Sequence, residues 1–368
     1  MDIRGDRAHE EPGSEEPRVI EAEVLRPPKV TRRATGTVTL DEVAALAGVS
    51  PSTVSRAIRS PDQVSVAAYE AVMRAVRATD YVPNRAASNL ASNRSGTVAA
   101  VMPAMSYSVF ADTVHGLEAV LSAAGIQLFL GTTGYDQGRE EEVLRAFLGR
   151  RPDGIVLVGA SHSEGARELL RRSQIPIVET WDWTDDPIDS LVGFSNRDAF
   201  ATMTEYVVNA GYRHPTFAGW LTGADSRAHA RRDGFQETIS RLLPGEPVRI
   251  LDTGARGISV EAGGWLLDQA RETHPQTDVL VCASDIFATG ALLAAHAQGL
   301  RVPSDIAVTG FGDFEMSRYL PPPLTTIQTP NESIGRRAGE LILERIADQH
   351  AEPVSIDLGF TLAVRDSA

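Results

Sequence analysis

The chain has 368 residues, of which 42% are hydrophobic, and this length suits two or three domains with sizeable cores. A single cysteine, Cys282, excludes an internal disulfide, and the formal net charge of −14 argues against unspecific coating of nucleic acid. The first thirty residues are charged and lack the apolar segment of a signal peptide, and no apolar run is long enough to cross a membrane, so we expect a cytoplasmic protein.

Charge is distributed unevenly along the chain. Residues 1–37 carry seven basic and eight acidic side chains without apolar periodicity, which predicts a disordered tail. Residues 38–96 carry six basic and five acidic side chains, whereas the remainder carries 22 and 36. A nearly neutral region ahead of an acidic body is compatible with local contacts to DNA phosphates.

Two short helical patterns lie in VTLDEVAALAGVSPSTVSRAIR, residues 38–59. Thr39 and Glu42 have the spacing of a capping box, Gly48 can end the first helix, and Ser50 can cap the second. This arrangement is typical of a helix-turn-helix that reads DNA; the alternative is a two-helix corner inside a larger helical domain. The outward-facing side chains of the second helix are those of Ser52, Thr53, Ser55, Arg56 and Arg59.

A third helix is predicted over residues 66–79 and completes a headpiece that spans residues 38–83. Residues 84–96 are predicted to form a hinge or linker. Its alanines favour helix, while its serine and asparagine residues compete for the backbone. Because so short a helix is unstable alone in water, we expect it to form only when another molecule covers it.

From Thr97 onward, strand and helix patterns alternate in two successive series. Each series predicts an open parallel sheet flanked by helices. We therefore expect a core with a first lobe over residues 97–195 and 329–349 and a second lobe over residues 196–328 and 350–368. The closing segment PVSIDLGFTLAV is read as one strand. Ligands of such folds bind at the carboxyl ends of strands, here in the cleft between the lobes.

The order of these parts resembles the lactose-repressor (LacI) family of bacterial transcription regulators over nearly all of residues 38–368. VTLDEVAALAGVSPSTVSR looks like the helix-turn-helix signature of this family, and YVPNRAASNLASNRSG looks like its hinge. The segments RRPDGIVLVG, ASDIFATGALLAAHAQGLRVPSDIAVTGFGD and PPLTTIQTP are similar to its core motifs. Within the family, QVSVA, VGFSN and IDLGFTL are most similar to gluconate-utilisation repressors. The resemblance implies an all-α helix-turn-helix headpiece followed by an α/β, two-lobe, periplasmic-binding-protein-like core with two open parallel sheets.

The resemblance also implies a homodimer that places two recognition helices in the major groove of a pseudo-palindromic operator. Arg56 could read guanine or contact a phosphate instead. Leu90 would wedge into the minor groove, or else anchor the hinge helix on its own headpiece. The residues that match family positions on DNA are Thr39, Ser50, Pro51, Ser52, Thr53, Ser55, Arg56, Asn84, Ala87 and Leu90.

By the same resemblance, a polar small molecule in the cleft controls DNA affinity. Arg231 matches an arginine that clamps a carboxylate, phosphate or hydroxyl pair, with a solvated helix arginine as the alternative. Asp285 could bind the ligand or act only as a helix cap. Ser284 stands where many members have asparagine, and Gly312 where two repressors have an effector-binding aspartate, so these departures weigh against a pyranoside. The ends of two strands in the first lobe add further expected cleft residues, namely Ser106, Tyr107 and Phe110 after the first strand and Glu179, Trp181 and Asp182 after the fourth. Asp313, next to Gly312, is also a candidate. Trp181 and Trp183 fit either a lid over the ligand or core packing.

The sequence has no Walker loop, no G-x-S-x-G nucleophile elbow, no H-E-x-x-H motif and no cysteine/histidine metal spacing, so neither an enzyme nor a cofactor is expected. A secreted solute-binding protein would share the two-lobe core but would lack the headpiece. We therefore expect a ligand-controlled repressor of a carbohydrate or sugar-acid operon, with gluconate as the first effector to test. The alternative is an activator or a global carbon regulator that uses a phosphoprotein partner.

Overall fold

The computed structural model describes residues 38–82, 94–105, 108–221, 225–348 and 350–368. The chain divides into two compact units, Met1–Asn84 and Arg85–Ala368. The predicted tail over residues 1–37 and most of the predicted hinge lie outside the described residues. Among the described residues, no helix combines the length and the apolar character that a membrane span requires.

The first unit contains three α-helices within its described residues: α1 (Leu40–Ala47), α2 (Pro51–Arg59) and α3 (Val66–Thr79). The backbone amide of Glu42 donates to Thr39, and the carboxylate of Glu42 accepts from the backbone of Thr39, so the capping box forms. Gly48 ends α1 in the left-handed conformation with φ of 67°. A small apolar core holds the helices together and consists of Val43, Ala44, Val54, Ala57, Val72 and Ala75.

The first lobe of the second unit is a six-stranded, wholly parallel sheet in the order β11-β5-β4-β3-β1-β2. Its strands are β1 (Thr97–Met102), β2 (Gln127–Thr132), β3 (Gly154–Val158), β4 (Ile177–Thr180), β5 (Ser190–Gly193) and β11 (Ser355–Asp357). The helices that flank this sheet are α4 (Ser108–Ala123), α5 (Gln137–Leu148), α6 (Glu164–Ser173) and α11 (Asn331–Ala347).

The second lobe repeats this arrangement with the strand order β12-β10-β9-β8-β6-β7. Its strands are β6 (Pro215–Gly219), β7 (Arg249–Asp252), β8 (Val279–Cys282), β9 (Ala307–Gly312), β10 (Thr325–Gln328) and β12 (Thr361–Ala363). Its helices are α7 (Asn196–Asn209), α8 (Ser226–Leu242), α9 (Val260–Thr273) and α10 (Asp285–Ala297). The edge strand β12 is antiparallel to β10, so this sheet is not purely parallel.

The closing segment differs from the expectation of a single strand in the second lobe. Its first part, β11, pairs with β5 of the first lobe, and its second part, β12, pairs with β10 of the second. Gly359 lies between them at φ of 63°, a conformation that interrupts an extended strand. The chain therefore crosses between lobes after β5, after β10 and again after β11.

Aromatic side chains join the two lobes where these crossovers meet. Phe194 follows β5, and its ring centroid lies 6.0 Å from that of Trp181 and 6.1 Å from that of Phe311 on β9. All three side chains are buried. The junction is therefore an apolar core in its own right, and the carboxyl ends of both sheets face it.

Candidate nucleic-acid interface and ligand cleft

Helix α2 presents the polar surface that the sequence predicted. Pro51, Ser52 and Arg56 are exposed, whereas Val54 and Ala57 on the opposite side are fully buried. A helix with one buried and one exposed polar face can enter a major groove without exposing its core.

The hydroxyl groups at the start of α2 form a local cluster. Ser50 accepts a hydrogen bond from the backbone amide of Thr53, and its Oγ lies 2.8 Å from the Oγ of Ser52 and from the Oγ1 of Thr53. These hydroxyl groups cap the helix, and they lie at the end where the helix dipole favours an anion such as phosphate. Thr39, a further predicted phosphate donor, already hydrogen bonds with Glu42.

The two arginines of α2 differ in their contacts. Arg59 donates to the backbone oxygen of Ser55 at 3.4 Å and also to the Ser55 hydroxyl, so both side chains are engaged within the helix. Arg56 is exposed and forms no ion pair with any described residue. Arg56 is therefore the better placed of the two to reach a base edge. The remaining predicted DNA-binding residues lie outside the described part of the chain: Asn84, Ala87 and Leu90.

A cavity lies in the cleft between the lobes, with about 620 Å³ of space not filled by protein atoms, some of it open to solvent. Aromatic rings form much of its wall, including Trp181, which is stacked edge-on against Phe110 at 5.2 Å. Four predicted effector residues line this cavity, namely Phe110, Trp181, Arg231 and Ser284. Ser106 and Tyr107 lie outside the described residues.

Trp181 is both a cavity wall and a core residue. Its side chain is 3% exposed, and its indole N–H donates to the Thr113 hydroxyl of α4 at 3.0 Å. The side chain of Asn196 donates to the backbone oxygen of Trp181 at 3.0 Å. These bonds fix the ring in place, so Trp181 is not a mobile lid. Trp183 is 37% exposed and does not line the cavity.

A buried charge cluster forms the polar side of the cavity. Asp225 caps α8, and Arg227 and Arg231 lie four residues apart on one face of that helix. The Nε of Arg227 donates to Asp225 at 2.7 Å, and an Arg231 nitrogen lies 3.6 Å from the second oxygen of Asp225. The guanidinium carbon of Arg231 stands 4.5 Å from the ring centroid of Phe311. The Nε of Arg231 is buried and donates to no partner in the described structure.

The electrostatics of this cluster favour a bound anion. Burial acts to raise the pKa of Asp225, but the charges of Arg227 and Arg231 outweigh this and hold its pKa below the usual value. Burial lowers the pKa of Arg231, and the charge of Arg227 lowers it further, while the charge of Asp225 only partly opposes this. Two guanidinium groups thus share one ionised carboxylate, and a ligand carboxylate would supply the missing negative charge.

Asp182 lies beside this cluster rather than in the wall of the cavity. It accepts a hydrogen bond from the Ser226 hydroxyl at 3.2 Å and so connects the first lobe to the start of α8. Burial raises the pKa of Asp182, partly opposed by the Arg227 charge. The raised pKa makes Asp182 a weaker second counter-ion for the arginines than Asp225.

Glu179, a predicted effector residue, does not line the cavity. Its side chain is fully buried, with one oxygen 3.1 Å from the imidazole of His162 and the other accepting from the amide of Ile188 at 2.6 Å. Both oxygens are therefore used within the first lobe, away from the cavity. Trp181 follows the end of β4 at Thr180 and has a φ of 67°, so strand alternation no longer sets the direction of its side chain, and it reaches the cavity where Glu179 does not.

Asp285 and Asp313 are also structural residues. Asp285 is fully buried and accepts from the backbone of Phe314 and from the hydroxyls of Ser317 and Thr326, so it joins three segments of the second lobe. It is not the cap of α10, because Ser284 fills that role. Asp313 pairs with Arg365 at 2.6 Å near the end of the chain. Neither aspartate lines the cavity, so the structure does not bring them together with the other predicted effector residues.

Several cavity residues were missed in the sequence. The four-residue spacing of Arg227 and Arg231 behind a capping Asp225 is a usable signal for a paired cationic face. The other missed side chains come from separate segments, and no local spacing connects them. They are those of Val109, Tyr135, Asn196, Trp220, Ala228, Ile258, Ala283, Phe287, Phe311 and Phe314.

Comparison with known proteins agrees with this two-part organisation. A family model described as bacterial regulatory proteins of the lacI family matches residues 39–84, and a periplasmic binding protein-like domain matches residues 204–368. The chain is 37% identical over 336 residues to the HTH-type transcriptional regulator GntR of Pseudomonas aeruginosa, covering 91% of this chain and 97% of that protein. It is 33% identical to a GntR regulator of Escherichia coli K12, covering 88% and 96%.

A solved structure supports the same assignment. The crystal structure of a LacI-family transcriptional regulator from Silicibacter pomeroyi superposes with a TM-score of 0.83 at 35% identity and covers 90% of this chain and 99% of that one. The relatives are transcriptional regulators and not enzymes. The chain therefore belongs to the LacI family of bacterial transcriptional regulators.

Proposed function

We propose that this regulator is a sequence-specific repressor of a sugar-acid utilisation operon, and that gluconate or a similar aldonate is its effector. The observation that carries the proposal is the buried, unpartnered Nε of Arg231 in a cleft where two guanidinium groups share one carboxylate. An aldonate supplies one carboxylate for Arg231 and several hydroxyl groups for the polar wall.

Ser284 and Gly312 differ from the residues that other family members have at these positions, and both differences support an open-chain ligand. Ser284 offers a hydroxyl at the cavity wall, and the backbone of Gly312 borders it without a side-chain acceptor. A pyranoside that relies on an aspartate there would leave its hydroxyl groups unpaired, which is costly in a buried site. The relatives named GntR are in line with the resemblance of the sequence to gluconate-utilisation repressors.

The headpiece supplies the DNA-binding function in this proposal. Arg56 reads a base pair in each half-site, and the hydroxyls at the start of α2 hold the phosphates that set its register. Two copies are needed to read a pseudo-palindrome. Exposed apolar side chains offer surface that a second copy could cover, and they include Phe129 and Leu130 on β2 and Met316 and Tyr319 in the second lobe.

Selection of bound fragments from the native genome, at physiological salt with and without gluconate, tests this function. We expect enriched palindromes that disappear when gluconate is added, and increased transcription of the adjacent genes when the regulator is deleted. Palindromes that are indifferent to gluconate would retain the DNA-binding role and remove the proposed effector. Lower transcription in the deletion strain would instead indicate an activator.

A further inference from the structure

A second chamber adjoins the ligand cavity on the side of the first lobe. It contains about 400 Å³ of space not filled by protein atoms, some of it open to solvent, and it shares Tyr135, Asp225 and Arg227 with the first cavity. The two spaces therefore meet at these three residues. Their linings differ, because aromatic rings dominate the first, whereas hydroxyl, amide and carboxylate groups dominate the second.

Glu140 is the unusual residue of this second chamber. It lies on α5, its side chain is only 12% exposed, and its Oε1 lies 2.8 Å from the Nδ1 of His162. Its other oxygen, Oε2, accepts no hydrogen bond from any residue that the structure describes. A nearly buried carboxylate with one free acceptor oxygen beside a cavity is suited to accept a hydrogen bond from a ligand hydroxyl.

His162 holds this carboxylate in position. Its imidazole is 1% exposed and lies between Glu140 on α5 and Glu179 on β4, so it joins two elements of the first lobe. Ser161, the residue before it, lines the chamber. His162 thus holds the carboxylate of Glu140 in place, together with the loop that carries Ser161.

We propose that the second chamber is a subsite for the hydroxylated end of an extended sugar acid, in which Glu140 accepts a terminal hydroxyl and His162 is its positioning residue. The inference rests on the proposed function, since it assumes that the carboxylate of the ligand is held at Arg231. An aldonate anchored there directs its chain past Tyr135 and Arg227 into the second chamber. A long chain reaches Glu140, and a short one does not.

Calorimetry with the full-length protein and three ligands tests the subsite: gluconate, the four-carbon erythronate, and glucitol, which lacks the acid. In the unaltered protein we expect gluconate to bind at least about tenfold more tightly than erythronate, and glucitol not to bind. Glu140→Gln keeps a partner for His162 but exchanges a charged acceptor for a neutral one, so it should weaken gluconate about fivefold and change erythronate less than about twofold.

The adjacent Glu141→Gln is the matched control. Glu141 lies on the same helix, contacts Ser163 and does not line the chamber, so its substitution should leave the ratio of the two affinities unchanged. Equal weakening of both ligands by Glu140→Gln would make Glu140 a merely structural residue and overturn the subsite. Unchanged binding of both would also overturn it. Failure of the unaltered protein to bind any aldonate would overturn the proposed effector and the subsite together.

Discussion

The surface of helix α2 and the ligand cleft use polar side chains in opposite ways. On α2 the polar groups come from nine consecutive residues, and the face they occupy is open to solvent. In the cleft they come from segments far apart in the chain, and Asp225, Arg227 and Arg231 are almost fully removed from water. The surface of α2 is formed by one helix, whereas the ligand site in the cleft forms only when both lobes are folded.

The difference has energetic consequences. An exposed arginine such as Arg56 is hydrated before it meets DNA, so its removal has little effect on the stability of the headpiece. A buried arginine such as Arg231 depends on its neighbours for compensation, so changes in the cleft act on folding and binding together. The contrast can be tested by substitutions that change the stability of the protein and spare its binding, or change binding and spare stability.

The largest effect is expected for Asp225→Asn. This change removes the carboxylate shared by Arg227 and Arg231 and leaves two buried positive charges with only the weaker counter-ion Asp182 beside them. We expect the free energy of unfolding of the core to fall by about 3 kcal/mol, measured by urea denaturation. Added gluconate should restore part of the loss, because its carboxylate replaces the missing charge.

Asp233→Asn on the same helix is the control for that experiment. Asp233 has a partly exposed side chain and pairs with Arg232, so its loss should cost less than about 0.5 kcal/mol. Equal costs for the two substitutions would mean that the cleft charges are hydrated in solution, and the contrast with α2 would then disappear.

A rise in pH is expected to lower the free energy of unfolding by a comparable amount, because His162 loses its proton. Burial acts to lower its pKa, but the hydrogen bonds and charges of Glu140 and Glu179 more than reverse this and raise its pKa from 6.5 to about 9. The folded protein therefore retains a proton that the unfolded chain releases between these values, so stability is fully present below pH 6.5 and declines up to about pH 9. The free energy of unfolding lost across this pH range is about 3 kcal/mol.

The pH dependence is measured by urea denaturation across this range. His162→Gln should be less stable than the unaltered protein at pH 6 and should lack the decline that this histidine causes between pH 6.5 and 9. An unchanged slope in the variant would show that His162 is not the group that titrates.

The smallest of these effects is expected for the affinity of the headpiece for operator DNA. Arg56→Ala should weaken binding to the preferred operator about tenfold per half-site and relax the preference at one base pair, with little change in headpiece stability. Arg59→Ala removes a side chain already engaged with Ser55 and should act weakly and equally on all sequences. Competition binding against a library of single-base operator variants separates the two outcomes. A uniform loss for Arg56→Ala would make it a phosphate contact instead.

The sequence was informative where structure is local. The capping box at Thr39, the left-handed Gly48 and the cap at Ser50 all form as predicted, because each depends on residues within one turn of the chain. The alternation of strands and helices predicted both sheets for the same reason. It did not predict that Gly359 divides the closing segment between two lobes, because a strand pattern contains no information about its pairing partner.

The cleft was only partly readable from the sequence. The rule that ligands bind at the ends of parallel strands placed Phe110 and Trp181 at the cavity, and the family resemblance placed Arg231 and Ser284 there. The strand-end rule also suggested Asp285, which does not line the cavity and accepts a hydrogen bond from the hydroxyl of Thr326, 41 residues later. Whether a carboxylate is free or already hydrogen-bonded depends on its neighbours in the folded protein, and these neighbours cannot be identified by reading a single sequence.

In the proposed mechanism Arg231 couples the binding of an anionic ligand to the release of DNA, and this coupling can be measured in one titration. Operator DNA bound to the unaltered protein, to Arg231→Ala and to the matched control Arg232→Ala is titrated with gluconate, and release is followed by fluorescence anisotropy. We expect all three proteins to bind the operator equally, and Arg231→Ala to need about 100-fold more gluconate for release. Release of Arg231→Ala from DNA at the same gluconate concentration as the other two proteins would show that Arg231 does not hold the ligand.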